Sequence, residues 1–273
     1  MAYMKYEGIL GGNLSITYAG IIDPCGNSGT CTTAPSDTAN SMHTIGARQA
    51  GQLFGLDYRG EYYYQFGDAN QDADDLVGGT ATGVEVDRQA YMFGIRIGKT
   101  FKNVNMKPSL TLWYDYLSGT KDSDLIDGDT TRNSAVDAKW KSFNPVFDTG
   151  HKFYGLQDLF LGIGTGSATS GTAGLGLQDL ALKTKLSPAP GWTFKADYHW
   201  FSTAESVSAN SVRAVSLGGS NEMGNEIDLT LVNKYNANTT ITAGFSNYTT
   251  TVAFRDLRNV LGDGANWAYL MFD

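Results

Sequence analysis

The stretch LQDLALKTKLSPAPGWTFKADYHWFS, residues 177–202, changes character at every second position. In its second limb Trp192, Phe194, Ala196, Tyr198 and Trp200 fall on one face, and Thr193, Lys195, Asp197 and His199 on the other. In the first limb Leu180 and Leu182 oppose Asp179, Lys183 and Lys185. A period of two belongs to β-strands, whose successive side chains point to opposite sides. The Pro-Ala-Pro-Gly break at 188–191 reads as a tight turn between the two limbs. The apolar face is aromatic at both ends, while the other face carries full charges of both signs. Such a strand suits lipid on one side and a wet lumen on the other.

The same alternation recurs along the chain. Strands are expected at 2–7, 13–22, 42–49, 53–67, 86–101 and 106–118, in the two limbs above, around 226–231, and at 239–250 and 266–272. The clearest is 53–67, where Phe54, Leu56, Tyr58, Tyr62, Tyr64 and Phe66 oppose Asp57, Arg59, Glu61 and Gln65, after a turn expected at 50–52. Connections alternate short and long throughout, the longest spanning 119–172. Short turns at one end and long loops at the other mark an outer-membrane barrel, and a soluble meander has no need of that asymmetry. The expected fold is therefore all-β, an antiparallel transmembrane β-barrel with about eleven strands in a single domain over 1–273. Both strand count and leader suggest an incomplete barrel. Alternation begins at the first residues with no basic-then-apolar leader, and single-chain bacterial barrels have an even strand number with both ends inside. The chain is thus expected to be the C-terminal portion of a longer barrel, lacking its N-terminal strands.

Composition narrows the function classes. Charged residues make up 18%, and there are 33 Gly and 15 Tyr. No stretch of 18 uninterrupted apolar residues exists, so no transmembrane helix is expected. A net charge of -8 argues against nucleic acid as a partner. Cys25 and Cys31 bracket a polar stretch and are expected to form a disulfide in an exported chain, two free thiols being the alternative. No His accompanies them at metal spacing, so neither a metal site nor any cofactor is expected.

Alternation assigns the charges of the second face to the lumen. These are Lys5, Arg48, Arg59, Arg88, Arg96, Lys183, Lys185 and Lys195, with Glu7, Asp57, Glu61, Asp115, Asp179, Asp197, Glu226 and Asp228. Two readings stay open: a cationic ladder that selects anionic solutes, or a cross-strand salt-bridge network that stiffens the wall. Arg59, Arg88 and Arg96 are the selectivity candidates, because guanidinium binds carboxylates bidentately. The acidic groups Asp68, Asp72, Asp74, Asp75 and Asp122, Asp124, Asp127, Asp129 lack EF-hand spacing and read as solvated loops rather than Ca²⁺ sites. Asp197 and His199 share a strand face without a Ser or Cys partner, so no enzyme is expected.

Within the longest connection the residues become specific. FNPVFDTGHKFYGLQD (143–158) resembles the FNPLFP-GHKYFG-MD segment of the alginate export family of outer-membrane porins. The ADYHWF strand, GNEIDLTLVNKYNANTTITAGFSNY and the ending NWAYLMF resemble that family's later strands. The resemblance implies an eighteen-stranded monomeric barrel in the bacterial outer membrane, surrounded by lipid and lipopolysaccharide, passing hydrophilic, anionic solutes or polysaccharide passively. His151 and Lys152 are the constriction-loop candidates, in a loop expected to fold into or over the mouth. The alternative is a scaffolding barrel with a blocked lumen, partnered by periplasmic or envelope proteins.

Overall fold

The computed structural model describes residues 1–23, 40–69, 86–124, 138–145, 150–206 and 220–273. Among the described residues twelve strands form one sheet. They are β1 (Ala2–Ile9), β2 (Gly12–Asp23), β3 (Asn40–Leu53), β4 (Leu56–Asp68), β5 (Val86–Thr100) and β6 (Ser109–Leu117), followed by β7 (Ala138–Trp140), β8 (Leu177–Leu186), β9 (Trp192–Ser202), β10 (Glu222–Lys234), β11 (Thr240–Thr250) and β12 (Gly264–Phe272). Except for β7, the strands follow one another in chain order as an antiparallel meander. The sheet is open: its order begins at β1 and ends at β12 without those two pairing. A short helix, α1 (Val252–Arg258), lies between β11 and β12.

The all-β antiparallel class and the short–long alternation of connections match the sequence reading; several details differ. The twelfth strand is β7, three residues inside the longest connection, which pair in parallel with the start of β5. Three residues are too few to show a period. The turn expected at 50–52 is strand, because Leu53 pairs with Leu56 and leaves Phe54–Gly55 as a two-residue turn. Phe54, expected to face lipid from within a strand, is the hairpin tip. Phe54 and Gly55 have φ of 52° and 76°, and Leu10 and Gly11, between β1 and β2, have 48° and 68°. Positive φ at both central residues is what a two-residue turn needs to match the strand twist, and glycine takes the second position at little cost. Helix α1 replaces what reads as plain loop; Thr251 caps it by accepting from the Phe254 N–H at 3.2 Å.

The register carries the two faces across the sheet, with one-residue shifts only at Glu7/Ile9 and Glu222/Gly224, the latter beside the inward-facing Met223. Ile95, Leu112 and Leu270 on the convex face are 48%, 53% and 63% exposed, whereas Gln65, Glu226 and Ser246 on the concave face are fully buried. Tyr62, Tyr91, Tyr116 and Phe93 form a stacked aromatic row on the convex side, with centroids 5.2–6.3 Å apart. Apolar groups outside and charges inside reverse the arrangement of a water-soluble domain.

The apolar core lies within the concavity. The connection between β6 and β8 folds back onto the concave face, and its residues 138–145 and 150–176 are called the insert below. Leu117, Leu177, Phe201, Met223 and Tyr248, at the long-connection ends of their strands, point inward and pack with Phe160, Ile163, Ala173 and Leu175 of the insert and with Phe254 and Leu257 of α1. Burying an aromatic ring such as Phe160 contributes roughly 1.5–3 kcal/mol. Backbone and side-chain hydrogen bonds close the insert on itself and on the sheet: Trp140 Nε1 donates to Gly164 O at 3.1 Å, Ser142 Oγ to Ile163 O at 2.9 Å, and Thr120 N to Gly174 O at 2.8 Å.

Candidate functional site

Cross-strand register gathers the mid-strand charges into two clusters. In the first, Arg59 stands opposite Arg96, and Arg48 opposite Glu61. Arg59 Nη2 lies 2.6 Å from Glu61 Oε2, while Arg96 Nη2 is shared between Glu61 Oε1 and Asp115 Oδ2, each at 3.3 Å. The Arg96 guanidinium also lies over the Trp113 ring, 3.3 Å from its centroid, a cation–π contact that fixes its plane. Gly94 makes room for this junction. A Cβ there would lie 2.5 Å from Asp115 Oδ1 and 3.1 Å from Glu61 Oε1. Arg88 does not join the cluster. It is buried beside β7, eight residues along β5 from Arg96, or roughly 26 Å of extended chain.

The second cluster sits on β8–β11. His199 Nδ1 lies 2.9 Å from both oxygens of Asp179, and Lys183 Nζ lies 3.0 Å from His199 Nε2 and from Asp197 Oδ2. An ammonium has only donors, so Nε2 accepts from Lys183 and Nδ1 carries the proton toward Asp179. The acidic partner of His199 is thus Asp179 across the strand pair, and Asp197 belongs to Lys183. Ser246 Oγ is held by carboxylates, 2.8 Å from Glu226 Oε1 and 2.6 Å from Asp228 Oδ1. The hydrogen bonds of His199 among the described residues go to Asp179 and Lys183.

Glu226 is where the insert meets this cluster. Its Oε1 accepts from Leu156 N at 2.7 Å and Gln157 N at 2.9 Å. Gln157 Nε2 donates onward to Ser246 Oγ and to Ala265 O of β12. The approach requires glycine next door: Gly155 has φ 87°, and a Cβ on it would lie 2.4 Å from Glu226 Oε2. His151 stacks on Trp267 of β12 with centroids 4.5 Å apart, and its Nδ1 lies 2.9 Å from Asp158 Oδ2. Lys152 lies over Phe153, whose ring meets Trp113 edge-on. The segment carrying His151 and Lys152 therefore lies inside the concavity. On the other side the insert is held by Gln65, which donates to Asn144 O at 2.7 Å and accepts from Asn144 N at 2.9 Å. At the top Arg258 donates to the carbonyls of Thr169 and Leu159, and burial lowers its pKa to about 10, leaving it cationic at neutral pH.

The remaining expected residues are scattered. Lys185 and Lys195 face each other near the short-turn end and are exposed, as are Asp57, which accepts from Gln52, and Arg48. Lys5 pairs with Glu7 at 2.6 Å on the exposed edge strand β1. Asp68 accepts from Ser41, and Asp124 pairs with Lys141 at 2.6 Å. Cys25, Cys31, Asp72, Asp74, Asp75, Asp127 and Asp129 lie outside the described residues. Sequence reasoning did not single out Trp113, Gln157, Ser246 or the inward apolar ends. Their signal is an apolar residue on the charged parity near a strand end, as at Leu177, Phe201 and Tyr248.

Between the insert and β2–β5 an uncovered cleft of about 380 Å³ remains, bounded by Arg59, Glu61, Tyr63, Arg96, Asp115 and Phe153 among others. The two clusters thus differ in access: the arginine cluster borders open space, whereas Asp179, His199, Glu226 and Asp228 are buried, with Lys183 and Asp197 partly exposed beside them.

A family model described as alginate export matches residues 13–258. No curated protein sequence matches the chain. Among solved structures, OmpF of Salmonella typhi in complex with daunomycin aligns over 99% of this chain and 60% of its own, at 12% identity and a TM-score of 0.49. The chain therefore spans three-fifths of the length of that protein.

Proposed function

The chain belongs to the alginate export family, and from that premise we propose that it forms part of the wall of an outer-membrane channel for passive passage or export of hydrophilic, anionic solutes or polysaccharide. The observation that carries this reading is the reversed polarity of the sheet: an exposed apolar convex face around a concave face of paired charges. In this reading lipid and lipopolysaccharide cover the convex face, the short turns face the periplasm, and further strands close the open sheet into an eighteen-stranded barrel. Passage needs no catalytic group, only lining chemistry.

The geometry divides the labour among the lining residues. Arg59 and Arg96 border the open side and, with the exposed Arg48 on the neighbouring strand, are proposed to meet the solute. Asp179, His199, Glu226 and Asp228 are buried on the covered side and, with Lys183 and Asp197 beside them, are proposed to hold the insert, which narrows the pore as a fixed wall. Planar bilayers containing the full-length protein are expected to show ion conductance with anion preference. A correctly folded barrel that conducts nothing would sink the proposal. It would favour a second reading, a scaffolding barrel with a blocked lumen, which the apolar core inside the concavity supports.

A further inference from the structure

We propose that the cleft between the insert and β2–β5 is a binding site for small amphipathic carboxylates, molecules with an apolar or aromatic body and one carboxylate. The inference rests on the channel reading in one respect, that solute reaches the concave face.

The cleft has two unlike ends. At one, Met42, Met92 and Phe143, which are 6%, 8% and 6% exposed, line the wall. Met42 and Met92 occupy the strand parity that elsewhere carries charge. A passage for hydrated polymer has no use for thioethers and a phenyl ring there, because they offer sugar hydroxyls no hydrogen bonds. They do suit an apolar body, and methionine adapts to its shape. At the other end lies the arginine cluster. There Arg59 and Arg96 set two guanidiniums against the carboxylates Glu61 and Asp115.

The donors of these arginines are far from saturated. A guanidinium carries five N–H groups. Among the described residues the hydrogen bonds of Arg59 and Arg96 run through Nη2, those of Arg96 at 3.3 Å, and the Nε of each is buried without an acceptor. Buried donors without acceptors are costly, and an incoming carboxylate would supply acceptors. A volume of about 380 Å³ lies in the range of small-molecule pockets. Apolar groups at one end and under-used guanidiniums at the other define an anion with an apolar tail.

The test is calorimetric titration of the full-length protein, folded in detergent, with phenylacetate, glucuronate and phenethylamine as probes. Saturable binding of phenylacetate is expected, with glucuronate and phenethylamine at least about tenfold weaker. Arg59→Gln is expected to weaken phenylacetate about tenfold or more. Met92→Gln should weaken phenylacetate and leave glucuronate unchanged, with circular dichroism confirming the fold of each variant. Should Met92→Gln not fold, Met42→Gln, at the same end of the cleft, serves instead. Glucuronate binding as tightly as phenylacetate, or folded protein that takes up no phenylacetate, would overturn the inference. Conductance without phenylacetate binding overturns this site and leaves the channel standing; binding without conductance does the reverse.

Discussion

The β8–β11 and β2–β5 sides of the concave face have the same kind of sequence and opposite surroundings. Both alternate lipid-facing apolar residues with inward charges, and both carry inward apolar residues toward the long-connection end. On β8–β11 those apolar residues are covered: Leu177, Phe201 and Tyr248 pack under Phe160 and Phe254, and Glu226 takes two backbone N–H groups of the insert. On β2–β5 the cover is partial. The insert touches Gln65 through Asn144 and then leaves a cleft in front of Met42, Met92 and the arginine cluster. A charge on the inward parity therefore has no single role. Under the insert it bonds to the insert or its neighbours; beside the cleft it borders open space.

The contrast breaks most readily on the covered side. Phe160→Ala removes a ring that is 1% exposed and meets Phe201, Tyr248 and Phe254, and should cost about 3–5 kcal/mol. Denaturant unfolding in detergent would measure it; a loss under about 1 kcal/mol would mean the insert adds little to the fold. Glu226→Ala should cost somewhat less, about 2–4 kcal/mol, since it strands the N–H groups of Leu156 and Gln157. It should also raise single-channel conductance if the insert then leaves the lumen, and unchanged conductance would mark the other anchors as sufficient.

The subtlest comparison sets one cation from each side against the other. Lys183→Met leaves Asp197 and His199 without their ammonium, so it should lower stability without moving the reversal potential in a salt gradient. Arg59, one-quarter exposed beside the cleft, should behave oppositely. Arg59→Gln is expected to weaken anion preference with a stability change of no more than about 1 kcal/mol. If the two variants shift selectivity equally, the distinction between fastening and lining charges fails.

Some of this arrangement is legible without a structure. The parity of Arg59, Glu61, Arg96, Asp115 and Trp113 places them on one face, and Gly191 marks a turn. Other features were out of reach for identifiable reasons. β7 is too short to show a period, and α1 lies in a segment whose helical character depends on packing Phe254 and Leu257 into the core. Arg88 reads like Arg96, since both are arginines of one parity on one strand, yet a parallel strand from a distant connection lies beside Arg88 alone. Asp197 looks like the partner of His199 because they are neighbours along one strand. The register instead sets Ala181 opposite His199 and brings Asp179, two residues along β8, to its Nδ1.

What the sequence by itself determined is the alternation: strands, their two faces, the alternation of short turns with long connections and the class of residue that faces inward. Those properties are local, repeating every two residues, so each segment states them alone. Only the tertiary structure decided which inward charges are roofed and which border open space. That depends on contacts such as Leu156 with Glu226, 70 residues apart, and Gln157 with Ala265, 108 apart. Contacts at such separation are selected by the complementarity of two folded surfaces, and neither surface is visible in a window of the chain.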